Sequence, residues 1–67
     1  MKITYRYWNE GTREAVNNET EAAHVETYRG HEIFKDAEDW YYVFDNENWQ
    51  YFDSKREARK FIRETIW

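Results

Sequence analysis

The chain has 67 residues, of which 21% are aromatic and 36% charged, with a formal net charge of −4 and neither cysteine nor proline. So short a chain implies one domain, 1–67, which buries only about 60% of its unfolded surface, so the aromatics must supply the core. Without cysteine there is no disulfide and no thiolate metal site, which fits a reducing cytoplasm. The longest apolar run, Trp40 to Phe44, is far below a membrane span, and the N-terminus lacks the basic and apolar regions of a signal peptide. A soluble cytoplasmic protein with no membrane partner is expected.

Lys2 to Trp8 alternates and is rich in Tyr and Thr, which predicts a strand that either pairs at a sheet edge or crosses an open face. Asn9-Glu10-Gly11 ends it. Thr12 to His24 admits two readings: a helix capped by Thr12 with Ala15, Val16, Ala22 and Ala23 inward, or a hairpin turning at Asn17-Asn18. Three β-rich runs follow, Thr27 to Lys35 interrupted at Gly30, Trp40 to Phe44 and Trp49 to Phe52, and they predict an antiparallel meander.

Asp36-Ala37-Glu38-Asp39 and Asp45-Asn46-Glu47-Asn48 read as four-residue loops. Such loops set Phe34 opposite Tyr41 and Phe44 opposite Trp49. Ile33, Trp40, Tyr42, Phe44, Trp49 and Tyr51 then share the face predicted to carry a helix, and Glu32, Phe34, Tyr41, Val43 and Gln50 share the open one. Ser54 with Glu57 forms a capping box, so a helix should begin near Lys55. Its buried stripe would be Ala58, Phe61, Ile62, Thr65 and Ile66, with Phe52 closing the corner and Arg56, Arg59, Lys60 and Arg63 on another face. Trp67 points off the stripe, to fold back over the helix end or to serve as an exposed anchor. The fold class expected is α+β, an antiparallel sheet of three or four strands with a C-terminal helix on one face and a possible short helix within 12–24.

Charge is distributed unevenly. Residues 10–53 hold three basic and twelve acidic groups, whereas residues 54–67 hold five basic and two acidic. Asp36 to Asp53 alone carries six carboxylates and seven aromatic side chains with no Lys or Arg. Aromatic anchors among uncompensated carboxylates suit a protein surface and repel a phosphate backbone.

With these elements placed, the C-terminal forty residues resemble AP2-type domains, including the arm-site-binding domains of phage integrases. The matching residues are Tyr28-Arg29-Gly30 opening the first strand, Trp40 opening the second, and Phe52-Asp53-Ser54 before Glu57-Ala58. The resemblance implies a three-stranded antiparallel sheet backed by one helix, with the exposed sheet face reading DNA through arginines on its first two strands. Glu32 and Phe34 stand at those positions on the first strand here and Asp45 ends the second, leaving Arg29 as the one basic residue of that pattern. In size, acidity, lack of cysteine and aromatic surface the chain is also similar to small acidic phage inhibitors such as anti-CRISPR proteins, which implies a DNA mimic that occupies a basic nucleic-acid channel.

Catalytic chemistry finds little to build on. Ser54 is the only serine and is committed to the helix cap, and the two glycines, Gly11 and Gly30, are too far apart for a phosphate-binding loop. Glu21 and His24 would share a face of a helix over 12–24 as half of a di-metal carboxylate motif, with the other half supplied only by a homodimer. His31 reads as structural, on the sheet rim. No enzyme, cofactor or metal is expected.

The function expected is a non-enzymatic protein-binding module, an inhibitor from a phage or mobile element. It would block a host protein with a basic nucleic-acid-binding surface, a defence nuclease or its complex, through Glu32, Phe34, Asp36, Glu38, Asp39, Tyr41, Asp45 and Glu47. One alternative is a DNA-binding domain using Arg29, Arg56, Arg59, Lys60 and Arg63, although the acidic body disfavours direct nucleic-acid binding. The other is a self-associating structural protein.

Overall fold

The computed structural model describes residues 1–66. Five strands form one antiparallel sheet in the order of the chain: β1 (Lys2–Asn9), β2 (Glu14–Tyr28), β3 (His31–Asp36), β4 (Tyr41–Asp45) and β5 (Asn48–Phe52). The helix α1 (Lys55–Phe61) follows and runs on into a π-helical turn, Ile62–Ile66. The α+β class and the meander hold, with five strands rather than three or four.

The helix considered for 12–24 is replaced by the first half of β2. Asn17, Asn18 and Thr20 are weak helix formers, and Val16, Asn18, Thr20 and Ala22 instead alternate along a strand paired with β1. Asn9 ends β1 as expected: its side chain accepts from the Gly11 and Thr12 amides at 2.9 and 3.3 Å. Arg13, at φ 55°, closes the loop with its N–H on the Asn9 carbonyl. Gly30 does not merely interrupt a strand. Arg29 and Gly30, at φ 51° and 81°, form the two-residue turn joining β2 to β3.

Val25 is a β-bulge in β2, between His24 paired with Phe34 and Glu26 paired with Ile33. One extra residue reverses the alternation. Ala22 and His24 therefore lie on the face of Phe34, while Glu26 and Tyr28 lie on the face of Ile33, which carries α1. Glu21 and His24 consequently lie on opposite faces of a strand, so the Glu-x-x-His pair does not assemble.

Strands β4 and β5 are turned over relative to expectation, while Ile33 keeps the helix face and Phe34 the other, because the β3–β4 loop has three residues rather than four. Asp36 pairs with Trp40 through its N–H, and Ala37, Glu38 and Asp39 make the loop, with Asp39 at φ 66°. Phe34 therefore opposes Tyr42, not Tyr41. The expected pairing of Phe44 with Trp49 holds, since a two-residue turn at Asn46-Glu47 gives the same register as a four-residue loop.

Two cores result, one on each face. Ile33, Val43, Ala58 and Ile62 are buried between sheet and helix, flanked by Tyr28, Tyr41, Phe52, Phe61 and Ile66. The Ser54 cap forms as expected, its Oγ accepting from the Glu57 amide at 3.1 Å, and Phe52 packs on Phe61 with ring centroids 5.2 Å apart. Thr65 is exposed rather than part of the stripe. The expectations for Trp67 lie outside the described residues. On the other, concave face, Ile3, Ala22, Phe34 and Tyr42 are buried with Tyr5 and Trp49 against them. The sheet rolls so that β1 crosses toward β5, bringing the Tyr5 ring to 5.4 Å from Tyr42 and 5.2 Å from Tyr51.

Candidate functional site

The roll of β1 covers the middle of the concave face and leaves aromatic side chains open at both ends. At one end Trp40 stands edge-on to Tyr51, with centroids 5.7 Å apart. At the other, Phe34 and Phe44 both stand steeply to Trp49, at 5.5 Å and 85° and at 5.1 Å and 65°. Phe44 is 52% exposed. These rings line a groove of about 480 Å³ with Thr27, His31 and Glu32, and no lysine or arginine lies in its wall. The exposed His24 touches two of these lining residues, its Nε2 2.9 Å from Thr27 Oγ1 and its ring edge-on to Phe34.

The proposed interface residues divide among several environments. Glu32 and Phe34 do share this groove, Glu32 exposed and Phe34 largely buried. Tyr41 is not an open contact: the register shift turns it, with Val43, to the helix core. Trp40, Phe44 and Tyr51, assigned to the core from sequence, are exposed instead. Glu38 and Asp39 are exposed in the β3–β4 loop, where Asp39 pairs with Lys35 at 2.8 Å. Asp45 and Glu47 lie at the opposite end of β4, about 15 Å away at the usual strand rise. The carboxylates therefore do not form one patch, and only Glu32, Asp45 and Glu47 share the Phe44 end of the sheet.

Asp36 is withdrawn from the surface altogether, with 7% of its area exposed. Its Oδ1 accepts from the Glu38 and Trp40 amides at 2.9 and 3.0 Å, which fixes the three-residue loop. Its Oδ2 accepts from the Tyr42 hydroxyl at 2.7 Å and from Thr20 at 3.2 Å, which ties that loop to β2 and β4. Burial opposes the negative charge, but these donors outweigh it and hold the carboxyl below the ordinary aspartate range. Burial, then the neighbouring carboxylate, push the Tyr42 phenol far up.

The basic set of the DNA-binding alternative is gathered on one side of α1. Arg59 is committed to Glu26, donating from Nε at 2.6 Å and from a terminal nitrogen to the other oxygen; Lys55 adds an approach of 3.8 Å. Arg59's hydrogen bond holds the Glu26 carboxyl below its usual value. Arg29 lies over the Tyr28 ring at 5.6 Å, and hydrogen bonding to Arg63, with help from Arg29, lowers the Tyr28 phenol. Tyr28 thus joins Arg29 to the helix side. Arg56, Lys60 and Arg63 flank an open basic depression there.

Among the described residues no group of three or more acidic or histidine side chains is placed to hold a metal, and no helix is long and apolar enough to cross a membrane. Comparison with protein-family models, with curated proteins and with solved structures finds no match in any of the three. Sequence reasoning missed Trp40, Phe44 and Tyr51 as surface groups. The available signal was Asp36 itself, whose side chain can cap a three-residue loop as readily as start a longer one.

Proposed function

We propose that this chain is a non-enzymatic protein-binding module that blocks a basic, nucleic-acid-binding protein, taking it at the Phe44 end of the concave face. A single observation carries this reading: a domain with little apolar surface to spare leaves Phe44 half exposed beside Trp49, on a sheet end bearing Glu32, Asp45 and Glu47. The rings would anchor the contact, and the carboxylates would select a basic partner and speed its approach. Glu47 adds support. It sits at φ 64° in a turn position where Gly30 occupies the equivalent place of the β2–β3 turn, so a strained carboxylate is retained where glycine would fit. A phage or mobile-element inhibitor of a host defence nuclease has this chemistry.

A photo-cross-linking phenylalanine placed at position 44, with a control at exposed Trp8 on the outer face, tests the reading in host lysate. Capture should occur from position 44 only, the captured protein should carry a basic surface, and the complex should weaken as salt is raised. Equal capture from both positions, or an acidic partner, rejects the proposal.

The juxtaposition of Arg29, Tyr28 and Arg63 favours one second reading, a nucleic-acid contact along α1. A mobility shift at low salt with random duplex DNA tests it, because three neutralised phosphates would give a log–log salt slope of about −2.7. No shift at the lowest salt eliminates it.

A further inference from the structure

We infer that the corner formed by Phe34, Phe44 and Trp49 receives an arginine side chain of the partner, with Glu32 as its counter-ion. The inference rests on the partner-binding reading above and names what enters the groove.

The rings form an angular wall. Both phenylalanines stand steeply to the indole, and Phe44, half exposed, presents ring surface to the groove. Aromatic faces carry negative quadrupole density, so perpendicular rings around a concavity attract a cation from more than one side. Phe34 opposes Tyr42 in the β3–β4 register, and Glu32, two residues back on the same face, lines the same groove as Phe44. Glu32 has no ion-pair partner among the described residues, unlike Glu26, Asp39 and Glu64. The groove thus holds aromatic surface and a carboxylate with no ion-pair partner, and its one cation, the Met1 ammonium, is engaged by the Ala22 carbonyl and Glu21.

Arginine fits this chemistry better than lysine. A planar guanidinium can stack on one ring while donating two parallel N–H groups to a carboxylate, and it is more weakly hydrated than an ammonium. The occupant is therefore an arginine on an exposed segment of the partner, and a basic nucleic-acid-binding surface supplies such residues. Filling the corner would set the partner's cation against rings instead of phosphate.

The test uses the full chain and the probe peptide acetyl-Gly-Arg-Gly-Arg-Gly-amide, with lysine and citrulline counterparts. Calorimetry measures binding, and the Trp49 indole N–H resonance reports its place. The arginine peptide should shift Trp49 and leave Trp8 unmoved, the lysine peptide should bind a few-fold more weakly, and the citrulline peptide about tenfold more weakly. Glu32→Gln and Phe44→Leu, both at exposed positions, should each weaken the arginine peptide about five- to tenfold with the folded spectrum retained. Equal binding of citrulline, a shift confined to Trp8, or indifference to both variants overturns the inference. If the peptides fail to move Trp49 while cross-linking from position 44 still captures a basic protein, the arginine corner falls and the partner reading stands. Failure of both removes both.

Discussion

Replacing Asp36 by alanine should cost a large share of the fold's stability although the residue lies in a hairpin loop. The carboxylate accepts from two loop amides and two hydroxyls, and one of these belongs to Tyr42, which is 1% exposed. A hydrogen bond to a charged group contributes about 1.5–3 kcal/mol, and a buried hydroxyl left without a partner costs about 1–3 kcal/mol. With partial relaxation the loss is about 3–4 kcal/mol, against a total of roughly 3–10 kcal/mol for a domain of this length. Asp36→Asn should cost only about 1–2 kcal/mol, since its oxygen can still serve the two amides while its amide donates to the Tyr42 and Thr20 hydroxyls. Urea unfolding followed by circular dichroism distinguishes the three proteins. Because the folded carboxyl titrates below its unfolded value, its contribution is present in full above about pH 3.9 and fades as pH falls through the lower, folded value. The wild type should therefore lose stability relative to Asp36→Asn on acidification. An alanine variant within about 1 kcal/mol of wild type, or parallel acid limbs for wild type and Asn, would refute the network as the organiser of this loop.

Glu47→Gly should raise the melting temperature by about 4–8 °C, the equivalent of about 1 kcal/mol, by relieving a side chain held at φ 64°, while weakening partner capture; a lower melting temperature would contradict the turn assignment. Deleting Val25 should prevent folding, because the alternation would put Glu26 and Tyr28 on the wrong face, whereas Val25→Thr at this exposed bulge should be tolerated; a folded deletion variant would show the bulge to be dispensable. Phe44→Ser should cost less than about 1 kcal/mol, the cross-strand pairing with Trp49, yet weaken the arginine peptide's shift of Trp49; a larger loss in thermal unfolding would mark Phe44 as core. Glu26→Gln should lower the melting temperature at pH 7, and the difference should shrink as pH falls through the lowered folded value of the wild-type carboxyl; an unchanged melting temperature at pH 7 would show that the Arg59 contact leaves stability untouched.

The parts of the fold that local chemistry dictates were legible: the Ser54 cap, the Ala58 and Ile62 stripe, the Asn9 turn and the Phe44–Trp49 pairing. The parts set by parity were not. Whether Asp36 belongs to the loop or to the strand changes the loop by one residue, and one residue exchanges Val43 for Phe44 as the helix-facing group. The bulge at Val25 carries no local signature, because a valine in a polar strand looks the same in or out of register. Segment 12–24 misled through its alanines, which are strong helix formers but are here small enough to lie in a strand, Ala22 buried beneath β1. For the candidate site, composition pointed to acidic and aromatic chemistry, but only the register shows which rings and which carboxylates meet.

β1 and β5 face each other across the roll without sharing backbone hydrogen bonds; their meeting is made by the Tyr5 and Tyr51 rings. A seam of tilted rings has no backbone bonds to break, whereas a hydrogen-bonded ladder resists displacement until its bonds break together. Parting β1 from β5 would thus uncover the concave face while every strand keeps its neighbour in the sheet.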